Sequence, residues 1–299
     1  SPSVILKNVA QLIKKKVPKE SADLVEQFST LLYSNISSVD LSHRNDSDMY
    51  GATLSLWSSL NEHTGSAPVI HVFNPSVNKN GWKSSHTIIE VIVKDMPFLV
   101  DSIRIALNRL GLSPHLILNA PLNLVRDKNQ RITKIAPSID TTIKPTSTET
   151  IFFIEIDRQP NQQALDNIKN ELLSVVEDIC LTVTDWQPML KQLNSVIANM
   201  KKGKLPGSKQ DKNDTVEFLS WLANNHFTLM GYRSYDVKAV KGDIKLEPNI
   251  DSSLGLMKNS SGTKTRLISS LSYSGRELAL GDNNLILTKT ISRSRAHRP

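Results

Sequence analysis

Apolar residues in the first 64 positions recur every three or four residues, the period of amphipathic helices. Val4, Val9, Leu12 and Ile13 form one stripe and Leu24, Phe28, Leu31 and Leu32 a second, with Pro18 breaking the chain between them. A third segment, SDMYGATLSLWSSL, has Ser47 or Asp48 near its start and offers Tyr50, Leu54, Trp57 and Leu60 for burial. From Ala67 the pattern changes: Val69 to Phe73 reads as a short strand and Asn74 to Trp82 as a turn-rich stretch. Ile88, Ile89, Val91, Ile92 and Val93 form an apolar, mostly β-branched run. It is too short to span a membrane and too uninterrupted for a half-exposed strand, so it predicts a central one. Asp95 is then placed to cap a helix, with Pro97 in the first turn, where a missing N–H costs little. Phe98, Ile103, Leu107 and Leu110 form its apolar stripe, and Gly111 ends it.

Beyond that helix, Leu116, Leu118, Ala120, Leu122 and Leu124 alternate strictly, as in a strand offering one face to a core. Asp127 to Gln130 reads as a hairpin turn into Arg131 to Ile135, and Thr150 to Ile156 as a further strand. From Leu165 to Met200 the three-four spacing returns with one gap at Thr182, and Pro188 in the TDWQP run predicts a kink or restart near Asp185. Two uses of so long a stripe stand side by side: a subunit contact, or cover for the sheet and the N-terminal helices. The polar segment KKGKLPGSKQDKND, Lys201 to Asp214, reads as a linker. After it, Val216 to Leu222 predicts a helix, and Phe227 to Val240, Ile244 to Leu246 and Asn284 to Ile291 predict strands. The expected organisation is therefore a helical segment (1–65), an α/β domain with long C-terminal helices (66–200), a linker (201–213) and a second, smaller α/β unit (214–299). This last unit looks truncated, as in a piece of a longer polypeptide.

Composition narrows the functional class. A hydrophobic content of 39% is that of a soluble protein, and no apolar stretch approaches the roughly 18 residues of a membrane span. The lysines of the N-terminal segment follow its apolar residues, the reverse of a secretory signal. A single cysteine, Cys180, allows no intrachain disulfide and suits a reducing cytoplasm. The net charge of +7 invites a nucleic-acid reading. Its distribution argues otherwise: Lys14 to Lys16, Lys201 to Lys204 and Arg293 to Arg298 are far apart and carry no interleaved aromatics on which bases could stack.

No catalytic constellation emerges. None of the 12 glycines is separated from another by a single residue, so the G-x-G core of a dinucleotide site is absent. Ser261 to Thr265 lacks the upstream glycine of a phosphate loop. The seven histidines show no i, i+4 pair and no partner cysteine for zinc. There is no G-x-S-x-G elbow, and Glu155 and Asp157, spaced by two on one strand, make a weak carboxylate pair. The junction at Asp95 remains: a helix N-terminus gathers unpaired amides and suits a carboxylate or phosphate, although plain packing explains most such junctions.

The order strand, helix opened by Asp-x-Pro, two further strands and a second helix makes most of a βαββαβ plan, the ferredoxin-like α+β layout, with Val69 to Phe73 in the place of the final strand. With DMPFLVDSI at its first junction, the segment resembles an ACT-type amino-acid-sensing domain. Seven blocks extend the resemblance in order: MYGATLSLW, VFNPSV, GWKSSHTIIEVIVKDMPFLVDSI, FIEIDRQ, VEDICLTVTDWQPM, FLSWLANNHFTLMGYRSYD and LTKTISRSRAHRP. Together they resemble the N-terminal region of the large bacterial NAD-specific glutamate dehydrogenases. That resemblance implies a parent enzyme oxidising L-glutamate to 2-oxoglutarate and ammonia with NAD, its dehydrogenase domain far toward the C-terminus. It also implies that this segment regulates or assembles the enzyme, holding neither cofactor nor metal and no catalytic or nicotinamide-binding residue. The implied partners are other domains of the polypeptide and further copies of the parent, with no nucleic acid and no membrane. An amino-acid effector is expected at Asp95, Met96, Pro97, Phe98 and Leu99, with backbone amides on its carboxylate and Asp95 on its ammonium. Ligand-binding ACT domains usually carry glycine just after Asp-x-Pro, where this chain has Phe98. Phe98 and the stripe from Leu165 to Met200 favour a second reading, a subunit-contact module without a ligand; a nucleic-acid binder is the third.

Overall fold

Pro18 divides the first helical hairpin, because its ring cannot continue a helix from the preceding turn. α1 (Pro2–Lys16) ends before it and α2 (Lys19–Leu32) starts after it. α3 (Ser38–Ser42) is a single short turn, and α4 (Asp46–Glu62) follows. Asn45, not Ser47 or Asp48, caps α4: its side-chain oxygen accepts from the Ser47 amide at 2.7 Å. Val9, Ile13, Val25, Phe28, Met49, Leu56 and Leu60 are buried in one core. Tyr50, Leu54 and Trp57, expected inside, lie at its border. The buried stripe of α4 is rotated toward Met49, Ala52 and Leu56 because Gly51 lets the helix approach Trp82 closely. A Cβ on Gly51 would stand 2.4 Å from the Trp82 Cβ.

The computed structural model describes residues 2–42, 44–65, 67–202, 208–240, 243–259, 266–267 and 285–287. They form two compact units, residues 1–176 and 177–299. In the first, β1 (Val69–Phe73), a helical turn α5 (Val77–Asn80), β2 (Thr87–Lys94), α6 (Leu99–Arg109), β3 (Pro114–Arg126), β4 (Ile132–Pro137) and β5 (Ser147–Ile156) lead into α7 (Gln162–Thr184). The sheet order is β1-β2-β5-β3-β4 with every neighbouring pair antiparallel. β1 lies at the edge beside β2, β4 forms the other edge, and β2, β5 and β3 fill the interior. Seven of the eight β2 residues are buried, as a strand covered on both faces requires.

Ile88 and Ile92 of β2, Ile151 and Phe153 of β5 and the alternating leucines of β3 share the core of α1, α2 and α4. Ile89, Val91, Val93, Phe152, Ile154 and Ile156 point the other way and are equally buried. α6 buries Leu99, Ser102, Ile103, Ala106 and Leu107. Ile103 and Leu107 are buried as the expected stripe requires, whereas at its two ends Leu110 is exposed and Phe98 half-buried. Gly111 closes α6 at φ 72°, with the Leu112 amide on the Leu107 carbonyl and the Gly111 amide on Asn108, a Schellman ending.

In the second unit the long helical stripe breaks at Asp185, so α8 (Trp186–Lys202) is separate from α7. α9 (Lys209–Trp221) begins inside the polar stretch with a Ser208–Asp211 capping box. A wide irregular turn over Leu222–His226 leads to β6 (Gly231–Val240), β7 (Asp243–Gly255) and β8 (Arg266–Leu267), one antiparallel sheet. β7 is much longer than the expected strand at Ile244 to Leu246. Most of the expected strand at Asn284 to Ile291, and the Ser261 to Thr265 segment, lie outside the described residues. Leu193, Ile197, Leu219 and Leu222 centre the core of this unit.

Candidate functional site

At the β2–α6 junction the chain leaves the sheet at Lys94, and the Asp95 amide donates to the Thr148 carbonyl at 2.8 Å. The Asp95 carboxylate accepts from Thr150 Oγ1 at 2.5 Å, tying the turn to β5. Asp95 is therefore not the helix cap, and Pro97 is not in the first turn. The helix starts later, at Leu99, and Phe98 stands at the cap position with φ 73°. The physical reason is the competing β5 hydroxyl, which holds the carboxylate away from the helix amides. Asp95 and Pro97 are exposed, Met96 and Phe98 half-buried and Leu99 buried. The five residues thus form one continuous turn at a helix N-terminus, with a left-handed residue where glycine is the natural choice.

A second set of groups lies on the sheet face that meets α4. In neighbouring strands with period two, Glu90 of β2 and Glu149 and Glu155 of β5 fall on the same side as Ile88, Ile151 and Phe153. All three are less than 5% exposed, and each meets a cation or polar group from the helical layer. Arg44 grips Glu155 with two hydrogen bonds of 2.7 Å, and the His86 ring approaches the same carboxylate at 3.9 Å. The His86 ring packs against His115 at 4.7 Å with a 42° tilt between the rings, and His115 in turn lies 2.6 Å from Asp157. Glu155 and Asp157 are thus separately engaged and form no carboxylate pair.

Ser59 Oγ donates to Glu90 Oε2 at 2.5 Å and lies 3.0 Å from His71 Nδ1, while His71 Nε2 stands 3.3 Å from Glu62. The Glu90 carboxylate raises the His71 pKa above its ordinary value, burial opposing it and Glu62 adding to it. Serine, histidine and carboxylate are together here, but the serine proton is already committed to Glu90. His71 has no hydroxyl proton to take, so the set does not activate a nucleophile.

His63 Nδ1 lies 2.9 Å from Glu149 Oε2, Ser147 donates to Oε1 at 2.8 Å, and Arg126 Nη2 reaches both oxygens at 3.4 Å. Burial pushes the Glu149 pKa up, yet His63, Ser147 and Arg126 outweigh it and hold the carboxyl below its ordinary range. Tyr33, buried beside Thr53, is pushed up to about 12 by desolvation and stays a neutral phenol. Reading the chain alone overlooked His63, Glu90, Arg126 and Glu149. For Glu90 the available signal was a lone carboxylate inside an apolar strand, IIEVIV, whereas Glu149, in the polar stretch STET, carried none.

Among the described residues no group of three or more His, Cys, Asp and Glu side chains is placed to hold a metal. No helix there is long and apolar enough to cross a membrane. The β2–α6 turn does not fit a dinucleotide: it offers Asp95, Met96, Pro97 and Phe98 where a pyrophosphate needs glycines for close backbone approach.

With this geometry in view, residues 28–172 match the family described as glutamate dehydrogenase, ACT1 domain. Over 297 residues the chain is 33% identical to an NAD-specific glutamate dehydrogenase of Halomonas elongata, covering 99% of this chain and 18% of that protein. Against the enzyme of the same name from Pseudomonas aeruginosa it is 34% identical, over 71% of this chain and 13% of the relative. A Mycobacterium tuberculosis enzyme of that name is 23% identical over 60% of the chain. The chain therefore spans less than a fifth of the length of these relatives.

Proposed function

The chain belongs to the family of NAD-specific glutamate dehydrogenases and carries its ACT1 domain, and from that premise we propose that it is a non-catalytic, N-terminal regulatory and assembly region. The parent polypeptide oxidises L-glutamate to 2-oxoglutarate and ammonia with NAD, in the cytoplasm, as a step of amino-acid catabolism. NAD is held elsewhere in that polypeptide. The partners of this region are the other domains of the parent and further copies of it. Its first unit is a ferredoxin-like α+β domain in which β1 takes the edge position of the final strand, and the polar stretch at 201–213 falls within the second unit, running from the end of α8 into α9.

The observation that carries this reading is the ACT1 match across residues 28–172, which contain the whole five-stranded sheet. Supporting it, the buried carboxylates of that sheet are engaged by Arg44, Ser59, His63 and Arg126 in ways that tie helices to strands. The effector site of this reading is the turn Asp95–Leu99, where the α6 amides take an amino-acid carboxylate.

Incubated alone with L-glutamate and NAD, the chain is expected to produce no NADH, and sustained turnover overturns the reading. A panel of amino acids is expected to raise its thermal midpoint. An unchanged midpoint rejects the turn as a site for the acids tried. The second reading, a subunit-contact module without a ligand, rests on Phe98 filling the position that glycine would leave open. A monomer in sedimentation at high concentration counts against it.

A further inference from the structure

A cleft of about 520 Å³ opens between the C-terminal end of α4 and the β3–β4 hairpin, and its walls include Thr64, Arg126, Lys128, Gln130, Thr146 and Glu149. This is the size range of small-ligand sites. We propose that this cleft binds a small carboxylate ligand through Arg126 and Lys128.

Arg126 is a built feature of the wall. Its side chain is only 5% exposed, and a register shift between Val125 and Arg126 marks a β-bulge of the kind that re-aims a side chain. Three elements hold the guanidinium: Nη1 donates to the Gln130 carbonyl at 3.0 Å, and Nη2 donates to the Leu60 carbonyl at 2.9 Å and to Glu149. Gln130, in the hairpin turn, adopts φ 64°, a left-handed backbone rarely taken by a residue with a side chain. After these bonds the Nε–H is buried with no acceptor.

Donors and acceptors around the cleft do not balance. Both oxygens of Glu149 are engaged, and Asp127 Oδ1 takes the amides of Asn129 and Arg131. On the donor side, the Arg126 Nε–H is buried without an acceptor among the described residues, and Lys128 adds an exposed ammonium to the cleft wall. An unmet cationic donor beside a small cleft calls for an anion, and one carboxylate oxygen can accept from the Nε–H while Lys128 supplies a second positive charge at the wall. Bound there, it would join the end of α4 to the hairpin. The regulatory reading does not depend on this site, nor does the site depend on that reading, which is tested by turnover.

Calorimetric titration of the full chain with succinate and, separately, L-glutamate tests the proposal, the two probes separating a dicarboxylate from an amino acid as the source of the carboxylate. The expected result is saturable binding of at least one, weakened about tenfold or more in Lys128→Ala and in Arg126→Lys, and retained in Phe98→Ala. Lys128 is exposed, so its variant keeps the test clear even where Arg126→Lys fails to fold. Absence of saturable binding by both probes overturns the proposal. So does binding unchanged in Lys128→Ala, or binding lost in Phe98→Ala alone, which assigns it to the β2–α6 turn.

Discussion

Phe98 carries a φ of 73°, where the Cβ of any residue but glycine crowds the backbone. Its half-buried side chain offsets that strain by packing, so the two contributions separate by mutation. Phe98→Ala loses the packing and keeps the strain, whereas Phe98→Gly loses both. Phe98→Gly is therefore expected to be the more stable variant by about 1 kcal/mol, measured by urea unfolding, and the reverse order contradicts the account. Gly51 is constrained by space instead: Trp82 Cβ, Cγ and Cδ1 lie 2.4 to 2.8 Å from where its Cβ would be. Gly51→Ala is expected to cost about 2 kcal/mol through overpacking, seen as a lower thermal midpoint, although alanine is the better helix former.

α4 is the element that anchors the helical layer to the sheet. Ser59 reaches Glu90, the Leu60 carbonyl receives Arg126, and His63 meets Glu149. Removing one carboxylate tests how much these ties stabilise: Glu149→Gln leaves the Arg126 guanidinium buried without its counter-charge. The expected loss is about 3 kcal/mol by denaturant titration, and a change within error means the cluster contributes nothing net. In the other unit, the break between α7 and α8 is held by Asp185, whose carboxylate accepts from the Gly255 amide at 2.7 Å and from Lys258 at 2.9 Å. The break itself was legible from Pro188, because a proline demands a helical restart upstream. Asp185's partners were not, since Gly255 and Lys258 lie some 70 residues away. The same holds for α6. Periodicity located the helix and its glycine end, but Thr150, distant in the chain and adjacent in the sheet, took the Asp95 carboxylate and moved the start to Leu99.

For the whole molecule, these groups set the response to pH. Burial raises the Glu149 and Asp185 pKa values, but His63 and Lys258 respectively, with their neighbours, leave both lowered. Groups with lowered folded values contribute stability above their unfolded pKa and lose it as pH falls through the folded one. His71, raised chiefly by Glu90, contributes below its unfolded value and loses that contribution as pH rises through the folded one. Being partly exposed, it adds the smaller effect. Stability is therefore expected to fall on the acid side more than on the alkaline side, with Glu149→Gln flattening the acid limb; an unchanged acid limb in that variant refutes its assignment to Glu149. What the sequence by itself determined is what depends on neighbours along the chain: helices from a three-four period, buried strands from apolar runs, the stop at Gly111, the restart after Asp185, and a family resemblance carried by ordered blocks. Tertiary structure alone decided which polar side chains meet. Arg44 and Glu155 are 111 positions apart and His63 and Glu149 are 86 apart. The free energy of burying such groups depends on partners that only the folded sheet and helices bring within hydrogen-bond distance.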